Sequence, residues 1–272
     1  MPKSLPALGF GTYKLDEPED CVENVQRALE TGYRHIDTAQ VYGNEAYVGD
    51  GIEESAVPRE EVFLATKIDT ENLAYEDVLE SVEVSREKLG VETIDLLYVH
   101  WPTGEYDAER TLEAFDDLVA NGTIEHVGLS NFRVDQLEEA QRVLDAPIFA
   151  HQVECHPLLP QERLARFAAE NDHRLVAYSP IARGEVTDIP AINDVAGRHG
   201  ATATQVALAW LVDRGIHPIP KASGEHIEEN YRALELVEEL TEADIEKIDG
   251  IEGRERLIDP ENAPWSEPPA AE

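Results

Sequence analysis

Residues 75–102 read YEDVLESVEVSREKLGVETIDLLYVHWP. In the first half Val78, Val82, Ser85 and Leu89 recur at helical spacing on one face, and Gly90 supplies a natural stop. The second half, Ile94–His100, is a short, almost continuous apolar run, the pattern of a strand buried on both faces. A helix followed at once by a doubly buried strand is the repeating unit of a parallel sheet with crossover helices.

The unit recurs on either side. Arg34–Asp37, Val62–Lys67, His126–Ser130, Phe149–Val153, Leu175–Tyr178 and His217–Pro220 read as buried parallel strands, and an earlier run around Leu8–Thr12 completes eight. Leu112, Phe115, Leu118 and Val119 share a helical face ahead of Asn121-Gly122, and further helical patterns cover Val134–Leu144, Gln161–Asn171, Thr204–Arg214 and His226–Leu236. Eight strands within 272 residues predict an α/β fold, a closed (β/α)8 TIM barrel forming a single domain over 1–272, in preference to an open doubly wound sheet. Ser4–Leu8, turning at Gly9, is expected to form a small hairpin across the barrel bottom. The tail Asp259–Glu272, with its prolines and Trp265, is expected to be irregular, either frayed or folded over the barrel mouth.

Composition narrows the function classes. A hydrophobic content of 42% supports a large core, and no run approaches the roughly 18–20 apolar residues that span a bilayer. Met1 to Leu8 lack a basic stretch and an apolar signal core, so a cytoplasmic protein is expected. Cys21 and Cys155 are too few for a disulfide scaffold and are read as reduced thiols. The 57 acidic against 22 basic residues give a net charge of −35, which argues against nucleic acid or an anionic membrane as partner. The acids are dispersed (Glu17, Glu19, Asp20, Glu23; Glu235, Glu238, Glu239, Glu242) and only six residues are lysine. That pattern points to a halophilic protein of a salty cytoplasm, with an ordinary acidic enzyme as the alternative.

Strand after strand closes on a polar residue: Asp37, Lys67, His100, Ser130-Asn131, Gln152, Tyr178 and Lys221. The carboxyl ends of barrel strands meet around one mouth, where active sites form. Four residues there suit carbonyl chemistry. The ammonium of Lys67 is expected to lower the Tyr42 pKa from its ordinary value near ~10, with Asp37 holding Lys67 protonated. His100 can donate a hydrogen bond to a carbonyl oxygen or share a proton with Tyr42, which would protonate that oxygen as hydride reaches the carbon.

DTAQVYGNE (37–45), ATKI around Lys67, LLYVHWP around His100, GLSNF (128–132), HQVECHP (151–157), AYSPIARG (177–184) and IPKAS (219–223) together resemble, in order, the motifs of the aldo-keto reductases, over about residues 8–230. The resemblance is to the bacterial and archaeal diketogluconate-reductase-like members. It implies a catalytic tetrad of Asp37, Tyr42, Lys67 and His100, and a nicotinamide cofactor extended across the mouth. Ser130, Asn131 and Gln152 would hold the carboxamide and Tyr178 would stack on the ring. Gly11, Thr12 and Tyr13 match positions near cofactor and substrate, while Lys221, Ser223, His226, Glu229 and Asn230 align with the adenosine end. Trp101, with Tyr13 and His100, would line the substrate pocket. Family members that prefer NADP commonly carry KS followed by an Arg four residues before the Asn; here Lys221-Ala222 and His226 stand in those places. A partly protonated histidine binds phosphate less firmly than arginine. The implied cofactor is therefore NADP(H), with NAD(H) also accepted. The short loop Thr103–Asp107 suggests an open pocket.

Other readings have sequence-level answers. His151, Glu154, Cys155 and His156 invite a metal site, but strand alternation splits them between two faces, so none is expected. Gly9-Phe10-Gly11 lacks the third glycine of a dinucleotide fingerprint. A phosphate-handling barrel would need a glycine-rich loop late in the chain. A catalytically silent nucleotide-binding regulatory barrel is the remaining alternative, against which the intact tetrad argues. The family resemblance implies a monomer acting on a small carbonyl compound.

Overall fold

Tyr75–Leu89 folds as the helix that its spacing predicts. Val78, Val82, Ser85 and Leu89 are its buried residues, Glu76 and Asp77 lie in its first turn and Arg86 and Lys88 in its last, matching the helix dipole. Gly90 follows at φ 66°, a left-handed cap that an L side chain adopts only with strain.

The computed structural model describes residues 3–266. Eight strands form one sheet in chain order, every neighbouring pair parallel. They are β1 (Phe10–Gly11), β2 (His35–Asp37), β3 (Phe63–Ile68), β4 (Ile94–Val99), β5 (Ile124–Ser130), β6 (Ile148–Glu154), β7 (Arg174–Tyr178) and β8 (His217–Pro218). The ring closes between β8 and β1, where Gly9 N donates to Pro218 O at 2.9 Å and Gly11 N to Pro220 O at 3.2 Å. Two prolines on the β8 side have no N–H to return, so this seam is bonded in one direction only. That accounts for β1 and β8 being shorter than the apolar runs suggest. The fold is the (β/α)8 TIM barrel.

The barrel interior is packed by large side chains set against glycines. A Cβ on Gly128 of β5 would lie 2.4 Å from the Tyr98 ring of β4, and one on Gly9 would lie 2.4 Å from His35 Nδ1. Phe63, Leu96, Tyr98, Val176 and Ile219 fill this interior, while a larger apolar layer lies between sheet and helices.

Two expectations need correction. Residues 4–8 carry no strand, so there is no hairpin. Pro6 has no N–H, and the polar groups here bond across the bottom instead of along a partner strand: Lys3 Nζ donates to Val62 O at 2.8 Å, and His217 Nδ1 to Pro6 O at 2.8 Å. Leu5 still covers the bottom, buried among Phe63, Leu96 and Ile219. The helix expected over 226–236 is divided into His226–Tyr231 and Ala233–Leu236, with Glu235 N bonding three residues back to Arg232 O.

Candidate active site

At the carboxyl ends of the strands lies a cavity of about 800 Å³. Asp37 ends β2 and Lys67 comes from β3; both are buried, and Lys67 Nζ donates to Asp37 Oδ1 and, at 2.8 Å, to Thr38 O. Gln152 of β6 donates from Nε2 to the other Asp37 oxygen at 2.8 Å. Burial pushes Asp37 up and Lys67 down, and the contact between them opposes both shifts.

Tyr42 reaches this pair from a short turn, Gln40–Tyr42, held in place by side-chain bonds on either side. Asn44 Nδ2 donates to Thr12 O at 2.9 Å and Leu15 O at 3.2 Å, and Asn44 Oδ1 accepts from Thr38 Oγ1 at 2.8 Å. Gln40 Oε1 accepts from Asp69 N at 2.9 Å. Lys67 Nζ lies 5.2 Å from the centroid of the Tyr42 ring, and the His100 ring meets Tyr42 edge-on at 6.0 Å. The four expected tetrad residues therefore converge. Lys67 stands behind the cavity wall, whereas Asp37, Tyr42 and His100 line it.

The electrostatics correct one expectation. The Tyr42 phenol is raised, not lowered: burial dominates, with the charge of Asp37 next and Tyr13 after it. Asp37, at contact with Lys67, offsets part of the ammonium's field at the phenol, and burial outweighs the remainder. His100 is pushed down to about 3 by burial, with Lys67 second, which makes it a neutral imidazole.

Ser130, Asn131, Gln152 and Tyr178 line the cavity together. Asn131 sits at φ 65°, a conformation asparagine tolerates better than most residues. Its Nδ2 donates to His100 O and Ser130 Oγ, both at 3.0 Å, and its Oδ1 accepts from Tyr178 OH at 2.8 Å. Asn131 thus ties the ends of three strands together, with one Oδ1 lone pair left over. Gly11, Thr12, Tyr13, Trp101 and Lys221 also line the cavity. Thr12 is fixed by donating from N and Oγ1 to Asp37 O, both at 3.0 Å. Ser223, His226, Glu229 and Asn230 do not line it; His226 is exposed and meets Glu229 at 3.0 Å, and Asn230 is buried.

Sequence reasoning missed several residues. Lys14 and Arg183 line the cavity beside the expected Lys221, and none of the three has a carboxylate partner among the described residues, although acids outnumber bases in the chain by 57 to 22. Lys14 and Arg183 lie inside the GTYK and AYSPIARG segments, and only their sign marks them out. The tail folds over the mouth as far as it is described. Ile258 lines the cavity, and Trp265 lies 5.5 Å from Trp101. Residues 267–272 of the expected irregular tail lie outside the described residues.

Known proteins match this chain over almost its whole length. The Aldo/keto reductase family model matches residues 7–252. The chain is 37% identical to glyoxal reductase of Bacillus subtilis (strain 168), covering 93% of this chain and 91% of that protein. It is also 37% identical to the uncharacterized oxidoreductase YtbE of the same strain, over 95% and 93% of the two chains. Among solved structures, MGS-M4, an aldo-keto reductase enzyme from a Medee basin deep-sea metagenome library, superposes with a TM-score of 0.90 at 34% identity, over 94% of this chain and 95% of the other. With the barrel, the converging mouth residues and these likenesses in agreement, the chain belongs to the aldo/keto reductase family.

Proposed function

We propose that this protein reduces small aldehydes and ketones to alcohols with a reduced nicotinamide dinucleotide, NADPH in preference to NADH, and that Tyr42 is the general acid. The convergence of Tyr42, His100 and the buried Asp37–Lys67 pair on one cavity carries the reading.

The donor set fits the cofactor. Ser130, Asn131 and Gln152 offer amide and hydroxyl groups to a carboxamide, and the Tyr178 ring beside them offers a stacking face. The cations Lys14, Arg183 and Lys221, which have no carboxylate partner among the described residues, suit an anionic dinucleotide, and Lys221 is the residue proposed to favour a 2′-phosphate. His226, already engaged with Glu229, adds little to that preference. When bound, the cofactor supplies hydride to the carbonyl carbon.

The remaining chemistry belongs to the chain. Neutral His100 donates a hydrogen bond to the substrate oxygen and orients it. Tyr42 keeps its proton through the neutral range and gives it up when charge develops on that oxygen, because a forming alkoxide is much more basic than a phenolate. Lys67 then lies close enough to stabilise the phenolate left behind, and Asp37, anchored by Gln152, keeps the ammonium in position. A barrel that only bound nucleotide would have no use for this arrangement. Val41, Trp101 and Ile258 give the mouth apolar walls, and the relative named glyoxal reductase supports a small carbonyl as substrate.

The test is consumption of NADPH and of NADH, followed by absorbance, against glyoxal, methylglyoxal and larger aldehydes. Turnover with several of them, faster with NADPH, is expected. No consumption with any aldehyde would overturn the activity, and faster turnover with NADH would overturn the cofactor preference.

A further inference from the structure

Glu154, the last residue of β6, is fully buried, and its carboxylate holds the tail. Oε1 accepts from Leu257 N at 2.7 Å and from His156 Nε2 at 2.9 Å, and Oε2 accepts from Ile258 N at 2.9 Å. Glu255 N adds a bond to Leu158 O at 2.9 Å. Residues 255–258 are thereby fastened to the segment that leaves β6.

The end of this fastened stretch and the chain beyond it cover the mouth. Ile258 lines the cavity directly. Trp265 packs against the cavity-lining Trp101 and donates from Nε1 to Asp259 Oδ1 at 2.7 Å, while the Arg256 guanidinium stacks 3.9 Å over the Trp265 ring. Residues two apart on a strand share a face, so β6 delivers Gln152 to Asp37 and Glu154 to the tail. A buried carboxylate is costly to keep without donors, and here two of its donors are backbone amides of the tail. The tail path at residues 257–258 is therefore tied to this side chain, and farther along Arg133 Nη1 donates to Pro264 O.

We propose that Glu154 is a positioning residue for the substrate: it fastens the tail so that Ile258 and the Trp101–Trp265 pair form an apolar wall that receives the substituent of the carbonyl compound. The proposal rests on reading the cavity as a reductase site. It predicts that carbonyl compounds bearing a large apolar or aromatic group depend on Glu154, whereas glyoxal, too short to reach the wall, does not.

Glu154→Gln tests it, because an amide presents one acceptor oxygen where two are in use. Expected are faster hydrogen exchange at the amides of Leu257 and Ile258, a KM for benzaldehyde raised about tenfold, and a glyoxal KM, kcat and NADPH affinity within about twofold of wild type. Equal changes for both aldehydes, or an unchanged benzaldehyde KM with the amide protection lost, would overturn the proposal. Trp265→Ala, on the tail itself, leaves Glu154 in place and should reproduce the split between the two aldehydes even if Glu154→Gln fails to fold. An unchanged benzaldehyde KM in that variant overturns the wall. Wild-type protein that reduces neither aldehyde overturns the reading of the site, and this proposal with it.

Discussion

The two ends of the barrel each hold a buried aspartate with basic partners, and they use it differently. At the bottom, Asp95 takes Lys3 at 2.6 Å, Arg59 at 2.7 Å and the amide of Leu64 at 2.9 Å, so its carboxylate is saturated by groups that join the N-terminal segment to β3 and β4. At the mouth, Asp37 takes Lys67 and Gln152, and beside that pair stand Tyr42 and His100, facing a cavity of about 800 Å³. A buried ion pair alone does not mark a catalytic centre. The mouth is distinguished by a phenol and an imidazole set against the pair with room for a ligand beyond them.

That contrast is most easily broken by substitution. Tyr42→Phe should lower kcat by about 10²–10⁴-fold while cofactor affinity and melting temperature stay near wild type, since the hydroxyl acts on the substrate oxygen. Asp95→Asn should do the reverse, destabilising by about 2 kcal/mol with kcat unchanged, because it removes a charge from bonds that only join segments. Steady-state kinetics and thermal melts on both variants decide the matter. A Tyr42→Phe enzyme with near-normal kcat would remove the proposed acid, and an Asp95→Asn enzyme with impaired kcat would erase the distinction between the two ends.

Acid should sharpen the comparison. His35 lies inside the barrel and His151 on the helix-facing side of β6; both are fully buried, and burial pushes both from 6.5 down to about 3. An unfolded chain takes up these protons below about pH 6.5 and the folded chain does not, so stability is complete above that pH and is lost as pH falls towards 3. Each histidine adds about 1.4 kcal/mol per pH unit to the slope. Tyr42 acts in the other direction. Its raised phenol keeps its proton, so kcat for reduction should be flat between about pH 6 and pH 9. Denaturant melts should show the acid slope, and pH–rate profiles the plateau. A fall in kcat across that range would mean that Lys67 does acidify the phenol.

The barrel was legible because its code is local: helical spacing around Val78 and Leu89, and apolar runs that end on polar residues. The positions of Asp37, Lys67, His100 and Gln152 followed from strand ends alone, and Tyr42, which lies on a turn, joined them as the acid that carbonyl chemistry calls for, with the family motifs in agreement. The sign of the Tyr42 shift was not legible. It depends on how completely Asp37 cancels Lys67 and on how much water the fold excludes, both of which are set in three dimensions. The expected hairpin at residues 4–8 failed for a related reason. Sequence shows the apolar residues of this segment but not that Lys3 and the Pro6 carbonyl find their partners across the barrel bottom. The reach of the tail over the mouth depends on Glu154, whose motif alone does not announce its distant partners.

Salt should give the smallest effect, and it separates the acidic shell from both ends of the barrel. With a net charge of −35, exposed acids such as Glu235, Glu238, Glu239 and Glu242 repel one another, and the Debye length falls from about 10 Å at 0.1 M salt to about 3 Å at 1 M. Melting temperature should therefore rise by several degrees from low to molar KCl. Asp95 and Asp37 are buried, and ions in solution screen such contacts weakly. If the shell is the source of the gain, Asp95→Asn should melt lower than wild type at every KCl concentration and rise in parallel with it. Converging curves would place part of the salt response in the bottom ion pairs, and a flat wild-type curve would show that the shell carries no adaptation to salt.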